Sequence, residues 1–317
     1  MPIQATLIRF VRATTLAAAL AALTGCGFIN TMATKSIANT LSKPGDVFTR
    51  DDDPELVRRA IPFALKTYES LLETVPKHAP LLLATCSGFT SYAFAFVQTD
   101  ADILGDAGHH DEVKTLNAEA VKLYTRGKDY CLRALDVRFP GIGKTLLIEP
   151  DAAVAKAGKK DIELLYWTAA SWGSAMSLDL DLGIDFPVVR ALVERGLALD
   201  ETWNQGALHE LMITLDSVEQ LGGDRKKARE HFARAVELQK GAAPSPYVLL
   251  AMGVSQPERN REEFEKLLNA AIAIDPEKDR SHRLVTILTQ RRAKALLEQI
   301  DTLFIKHPFL HAGTAAR

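Results

Sequence analysis

Three cysteines in 317 residues are too few to build a disulfide scaffold. A basic excess is missing as well. Thirty-eight Lys and Arg stand against 40 Asp and Glu, a formal net charge of −2, which argues against a general nucleic-acid binder. Glycine (19) and proline (14) are at ordinary levels, which argues against fibrous repeats and long disordered tracts. Strand signals are almost absent, since no run rich in Val, Ile and Thr alternates with polar residues. What remains, 47% hydrophobic and 25% charged, is the profile of a folded helical protein.

The amino terminus reads as an address. Arg9 and Arg12 supply positive charge, and Val11 to Leu23 is apolar and alanine-rich apart from Arg12, Thr14 and Thr15. That stretch is shorter than the roughly 20 residues of a membrane span and suits the apolar segment of a secretory signal. It ends in Leu23-Thr24-Gly25-Cys26. This is similar to the bacterial lipobox, in which small residues precede a cysteine whose thiol carries a diacylglycerol thioether. We therefore expect residues 1–25 to be a lipoprotein signal peptide and Cys26 the lipidated first residue of the mature chain. Residues 26–50 read as a tether, 51–306 as a helical body and 307–317 as a tail. Acyl chains on one cysteine anchor a protein in the periplasm without a transmembrane helix. Gly27, in place of an Asp after the cysteine, points by analogy with Gram-negative sorting to the outer membrane rather than the inner. Within the tether, Phe28, Ile29, Met32 and Ile37 offer a short helix an apolar face. Cys86 and Cys131 both fall in apolar helical segments, compatible either with a disulfide or with two buried thiols.

Helical periodicity runs through the body. Phe264, Leu267, Leu268, Ala271 and Ile272 recur at one-face helical spacing, as do Val189, Leu192, Val193, Gly196 and Leu197, and Ala228, Phe232, Ala235 and Val236. These segments also resemble one another. They end at Asp200, Gln239 and Asp275, spaced 39 and then 36 residues apart, near the tetratricopeptide period of about 34. Three further segments, Leu81 to Val97, Leu164 to Leu178 and Trp203 to Leu215, are apolar on nearly every side. Such helices are either core or the lining of an apolar cavity. The expected fold is all-α, with degenerate tetratricopeptide-like helical repeats forming a compact solenoid with an apolar cavity or channel.

Catalytic chemistry is scarce. Gly141-Ile142-Gly143-Lys144-Thr145 is similar to a phosphate loop, but position 138 is Arg where the loop needs glycine. His209-Glu210 opens like a zinc-protease motif, yet position 213 is Ile and the second ligand is missing. Glu210 among Leu and Ile reads either as a polar contact in a ligand cavity with a raised pKa or as an ordinary hydrogen-bonded side chain. His109-His110-Asp111 sits in a glycine-containing turn, and Asp51-Asp52-Asp53 lacks the pattern of a calcium loop. No Gly-x-Ser-x-Gly elbow occurs. We expect no enzyme, no metal and no cofactor.

Taken in order, the lipobox, the short tether and four segments of the body resemble one family. The segments are Thr85-Cys86-Ser87-Gly88-Phe89-Thr90-Ser91-Tyr92-Ala93-Phe94-Ala95, the helix of Tyr166-Trp167 and Trp172-Gly173, Ala228 to Leu238, and Phe264-Glu265-Lys266-Leu267-Leu268. Together they are similar to the TatT family, the tetratricopeptide-containing lipoprotein component associated with TRAP transporters. The resemblance implies a periplasmic homotrimer that docks the TRAP solute-binding protein. It further implies an apolar channel through each subunit that passes a hydrophobic or organic-acid ligand. On the matching segments, Tyr92, Phe96, Trp167, Trp172, Trp203 and Glu210 would line it. A lipid-anchored scaffold for envelope protein assembly is the alternative, and it would show a polar concave face. An enzyme acting on envelope polymers would need paired acidic residues, which do not appear.

Overall fold

In the computed structural model, residues 31–43, 45–105 and 108–305 are described, and all their regular structure is helical. The signal segment, Cys26, Phe28, Ile29 and the tail at 307–317 lie outside them. Fourteen α-helices follow from Asp53 onward among the described residues. They are α1 (Pro54–Thr74), α2 (Ala79–Tyr92), α3 (Thr99–Leu104), α4 (His110–Arg138), α5 (Ile142–Ile148), α6 (Pro150–Val154) and α7 (Ile162–Leu178). Then come α8 (Phe186–Leu199), α9 (Ala207–Ser217), α10 (Arg225–Leu238), α11 (Ser245–Leu250), α12 (Arg261–Ile272), α13 (Arg283–Glu298) and α14 (Ile300–Leu303). Single π-helical turns, Ala93–Gln98 and Ala251–Ser255, continue α2 into α3 and extend α11.

The starts follow from local chemistry. The Asp53 carboxylate accepts from the amides of Glu55 and Leu56, and Pro54 occupies the first turn, where no amide is needed. Asp224 and Asn260 cap α10 and α12 in the same way. At α2 the cap is His78, whose Nδ1 accepts from the Leu81 amide at 3.1 Å.

Part of the expected tether is helical and docked. Residues 31–41 form a helix, with Thr34 and Ala38 buried while Met32 and Ile37 stay exposed. Thr34 and Ala38 are one turn apart on the same face, and their small side chains allow close approach to the body. The Tyr68 hydroxyl donates to the Leu41 carbonyl at 3.1 Å, and His78 Nε2 lies 2.9 Å from Asn39 Oδ1.

Two large apolar cores form, with two smaller clusters beside them. One joins α2, α4, α7 and α8 around Leu82, Leu135, Leu165 and Leu192; the other joins α10 to α13 around Val254, Phe264, Leu268 and Ala293. Helix α9 belongs to both, giving Leu208, Met212 and Leu215 to the first and Ile213 to the second. From α7 onward neighbours in sequence pack mostly on one another, and α13 returns to α3. There Gln299 Nε2 donates to the carbonyls of Asp102 and Ile103 at 3.2 and 2.9 Å. Arg292 pairs with Asp102 at 2.9 Å, and Leu284 and Leu288 pack with Val57 and Phe96. The order of packing therefore closes on itself.

Ala79–Leu104 is long and apolar enough, at a mean hydropathy of 1.4, to cross a membrane by length and composition. Half of that stretch is buried inside the protein, against α4 and α7, which accounts for its apolar character as a core helix. Cys86 on α2 and Cys131 on α4, both fully buried, form a disulfide with Cα atoms 5.4 Å apart. Of the two readings open in the sequence, the bonded one holds, because the α2–α4 packing brings the two positions face to face.

Candidate functional site

The expected lining residues fall into three places. Trp172 is buried on α7, its indole Nε1 donating to Asp185 at 3.2 Å with the Lys128 ammonium 5.0 Å over its ring. Phe96 is buried where α13 returns to α1, with Tyr92 at 5.5 Å and the Arg58 guanidinium 5.1 Å from its ring centre. Arg58 is itself held by both oxygens of Asp100 at 2.6 Å. Trp167, Trp203 and Glu210 form the third group.

In that third group the joining residue is Tyr166. Its ring centre lies 5.1 Å from that of Trp167 and 5.1 Å from that of Trp203. All three rings are half-buried at the margin of the first core. The backbone before α9 sets Trp203 in place. Asn204, Gln205 and Gly206 are left-handed, with φ of 46°, 57° and 82°. The helix expected from Trp203 therefore begins at Ala207, after a sharp reversal. Glycine is required at 206 on two counts: its φ, and a Cβ there would come within 2.7 Å of Leu238 Cδ1.

Glu210 lies in the first turn of α9 and accepts from Gln239 Nε2 at 2.5 Å. Burial drives its carboxyl up to about 7, against the opposing pull of the Gln239 bond and of His282. The Tyr166 hydroxyl is pushed upward too, first by burial and then by the Glu210 charge, so the two groups sense each other. Gln239 is 6% exposed, and its Oε1 accepts no hydrogen bond. Tyr166 and Gln239 complete the group; the sequence marks one as part of a family segment and the other as a repeat end, and neither as a lining residue. An aromatic on an apolar helix and a glutamine at a helix end carry no mark of their partner.

His209, beside Glu210 in the chain, points elsewhere. Its Nδ1 is 2.7 Å from His231 Nδ1, its Nε2 is 3.4 Å from Glu201, and His231 Nε2 is 3.7 Å from Asp216. Asp216 is buried and paired with Arg190 at 2.6 Å. Both imidazoles are held below their usual pKa, chiefly by burial. Ile213, where a zinc protease would carry its second histidine, is fully buried in the second core. No group of three or more potential metal ligands occurs among the described residues. Gly141 to Thr145 is the start of α5, and His109 and His110 are exposed at the start of α4.

Two shallow surface depressions are also present. One, of about 480 Å³, lies between Lys35 and the Val75–Ala79 turn; the other, of about 350 Å³, lies between Arg50 and Arg283. Neither touches the aromatic group.

The sequence of residues 50–304 matches the family model described as TRAP transporter T-component. The chain belongs to the TRAP transporter T-component family. It is also 31% identical over 272 residues to an uncharacterized protein of Treponema pallidum (strain Nichols), covering 82% of this chain and 83% of that protein. As a T-component the chain is an accessory of TRAP transport, with a transport rather than a catalytic role. The family match spans almost all of the helical body, including α7 and the turn before α9, which carry the aromatic group, and α9, which carries Glu210.

Proposed function

We propose that this T-component is a lipid-anchored periplasmic protein that docks the TRAP solute-binding protein and passes a hydrophobic or organic-acid ligand along an apolar channel. The observation that carries this reading is the group of Tyr166, Trp167, Trp203 and Glu210, brought together by α7, α9 and the turn before α9 yet partly open to solvent. Tyr92, Trp167, Trp203 and Glu210, all half-buried, are the residues we assign to the lining. Phe96 and Trp172 fill the interior beside them. The successive helices, closing from α13 back to α3, suit a degenerate repeat wound around such a passage.

Anchoring is through Cys26 after loss of residues 1–25, in the outer membrane rather than the inner. The Cys86–Cys131 disulfide suits an oxidising compartment. Exposed Leu56 and Phe63, two turns apart on α1, together with Ile148 and Ile184, offer apolar surface for the homotrimer and the binding protein. The test is copurification of the full-length protein with the solute-binding protein of its transporter, with subunit mass read by sedimentation. A monomer that captures no binding protein refutes the docking reading. Loss of fatty-acid labelling in Cys26→Ala checks the anchor separately.

A further inference from the structure

Gln239 presents a buried acceptor without a donor, beside a carboxyl whose side-chain donor is Gln239 itself. Gln239 spends its amide nitrogen on Glu210 Oε1, and no side chain or backbone amide donates to its own buried Oε1. Apart from the His282 imidazole, the groups around the pair supply no positive charge. From α7 comes the Tyr166 ring, from α10 the Gln239 amide, and from the turn before α13 His282, whose Nδ1 is taken up by Asp279 at 2.9 Å. Other buried acids of this chain are treated differently: Asp216 has Arg190 at 2.6 Å and Asp161 has Arg138 at 2.7 Å.

The Tyr166 ring, whose hydroxyl senses the Glu210 charge, meets the rings of Trp167 and Trp203 with centres 5.1 Å apart in each contact. Aromatic faces attract cations through the ring quadrupole, most strongly at tryptophan. A buried carboxylate repels an anion and gains from a positive charge brought to it. An orphan buried acceptor gains from an N–H donor. These three preferences coincide in one chemical group.

We propose that Tyr166, Trp167, Trp203, Glu210 and Gln239 form a binding site for the ammonium group of an organic ligand. Glu210 carries the countercharge, Gln239 Oε1 accepts one ammonium N–H, and the rings enclose the alkyl or aryl body. The site deepens the transport-accessory reading and rests on it, since the ligand must reach the partly open group along the proposed passage. Of the two ligand classes in that reading, the site takes the hydrophobic one with a cationic end and excludes the simple organic acid.

The test uses the purified full-length protein at pH 8 and three probes of matched size: phenethylammonium, neutral 2-phenylethanol and anionic 3-phenylpropanoate. Binding is followed by calorimetry and by tryptophan fluorescence. Phenethylammonium is expected to bind most tightly. Its affinity is expected to fall at least tenfold in Glu210→Gln, while 2-phenylethanol changes less than twofold. Trp203→Leu is expected to weaken both, with circular dichroism checking that each variant is folded. Equal affinity for the ammonium and the alcohol, or an unmoved ammonium affinity in Glu210→Gln, overturns the cation site and leaves an apolar passage standing. Preference for 3-phenylpropanoate overturns it in favour of an acid ligand. Failure of all three probes to bind overturns the passage along with the site.

Discussion

Replacing Glu210 by Gln removes a proton-binding group whose cost can be worked out from its surroundings. The carboxyl stands at about 7 in the folded protein, against its ordinary 4.5, because burial outweighs the Gln239 bond. Between those two pH values the folded chain keeps a proton that the unfolded chain has released, so stability falls as pH rises through that window. At about 1.4 kcal/mol for each pH unit, the full cost is of the order of 3 to 4 kcal/mol and is present above pH 7. Gln is close in shape and keeps an acceptor for Gln239 Nε2, but carries no charge at any pH. The variant should therefore gain on the parent as pH rises, the gap widening by about 2 kcal/mol between pH 5 and pH 8. Urea midpoints of both proteins at the two pH values measure it. The two histidines next door titrate in the opposite sense, but they are common to both proteins and cancel in the comparison. A gap that stays constant with pH, or that favours the parent at pH 8, refutes the argument.

The histidines give their own signature. His209 and His231 are held below 6.5, so the unfolded chain takes up protons that the folded chain resists, and stability is lost as pH falls below 6.5. His231→Gln should make that acid limb shallower in thermal unfolding curves; an unchanged limb counts against the buried pair. The Cys86–Cys131 bond closes a separation of 45 residues, for which loop entropy predicts about 4 kcal/mol of stability. Cys86→Ala with Cys131→Ala should lose most of it in urea titrations, and reduction should leave the double variant's midpoint unmoved. Gly206→Ala forces a Cβ onto a φ of 82° and against Leu238. A loss of about 1–2 kcal/mol is expected, with a fluorescence change at Trp203 as the turn shifts; full tolerance shows the turn to be less demanding than its geometry.

Helix faces were the legible part of the sequence. Phe264, Leu267, Leu268 and Ala271 are all buried on α12, and Val189, Leu192, Val193 and Gly196 are buried on α8. Periodicity works there because each of these helices has one wet side. It fails on α7 and α9, which contact protein on several sides and show no dry stripe. The short helix offered in the tether is present, but it docks by a different face. Its large apolar residues Met32 and Ile37 advertised a packing face, but the contact is made by Thr34 and Ala38, which are small enough to let two helices approach. The turn before α9 went unread because Asn204 and Gln205 adopt positive φ without being glycine. Pairings between distant residues, such as His209 with His231 or Cys86 with Cys131, leave no local pattern.

Glu210 was conspicuous in the sequence as an acid among Leu and Ile, and its surroundings explain what that oddity costs. On the same helix, less than two turns away, Asp216 is more deeply buried than Glu210 and receives Arg190, which makes it an element of structure. Glu210 receives only an amide. Burying a carboxyl without a cation sacrifices stability that a glutamine would retain. A helix shared by two cores is a poor place for such a loss if packing were its only task. Three aromatic rings would be surplus to a structural acid, whereas a carboxyl that waits for an incoming charge needs all of them.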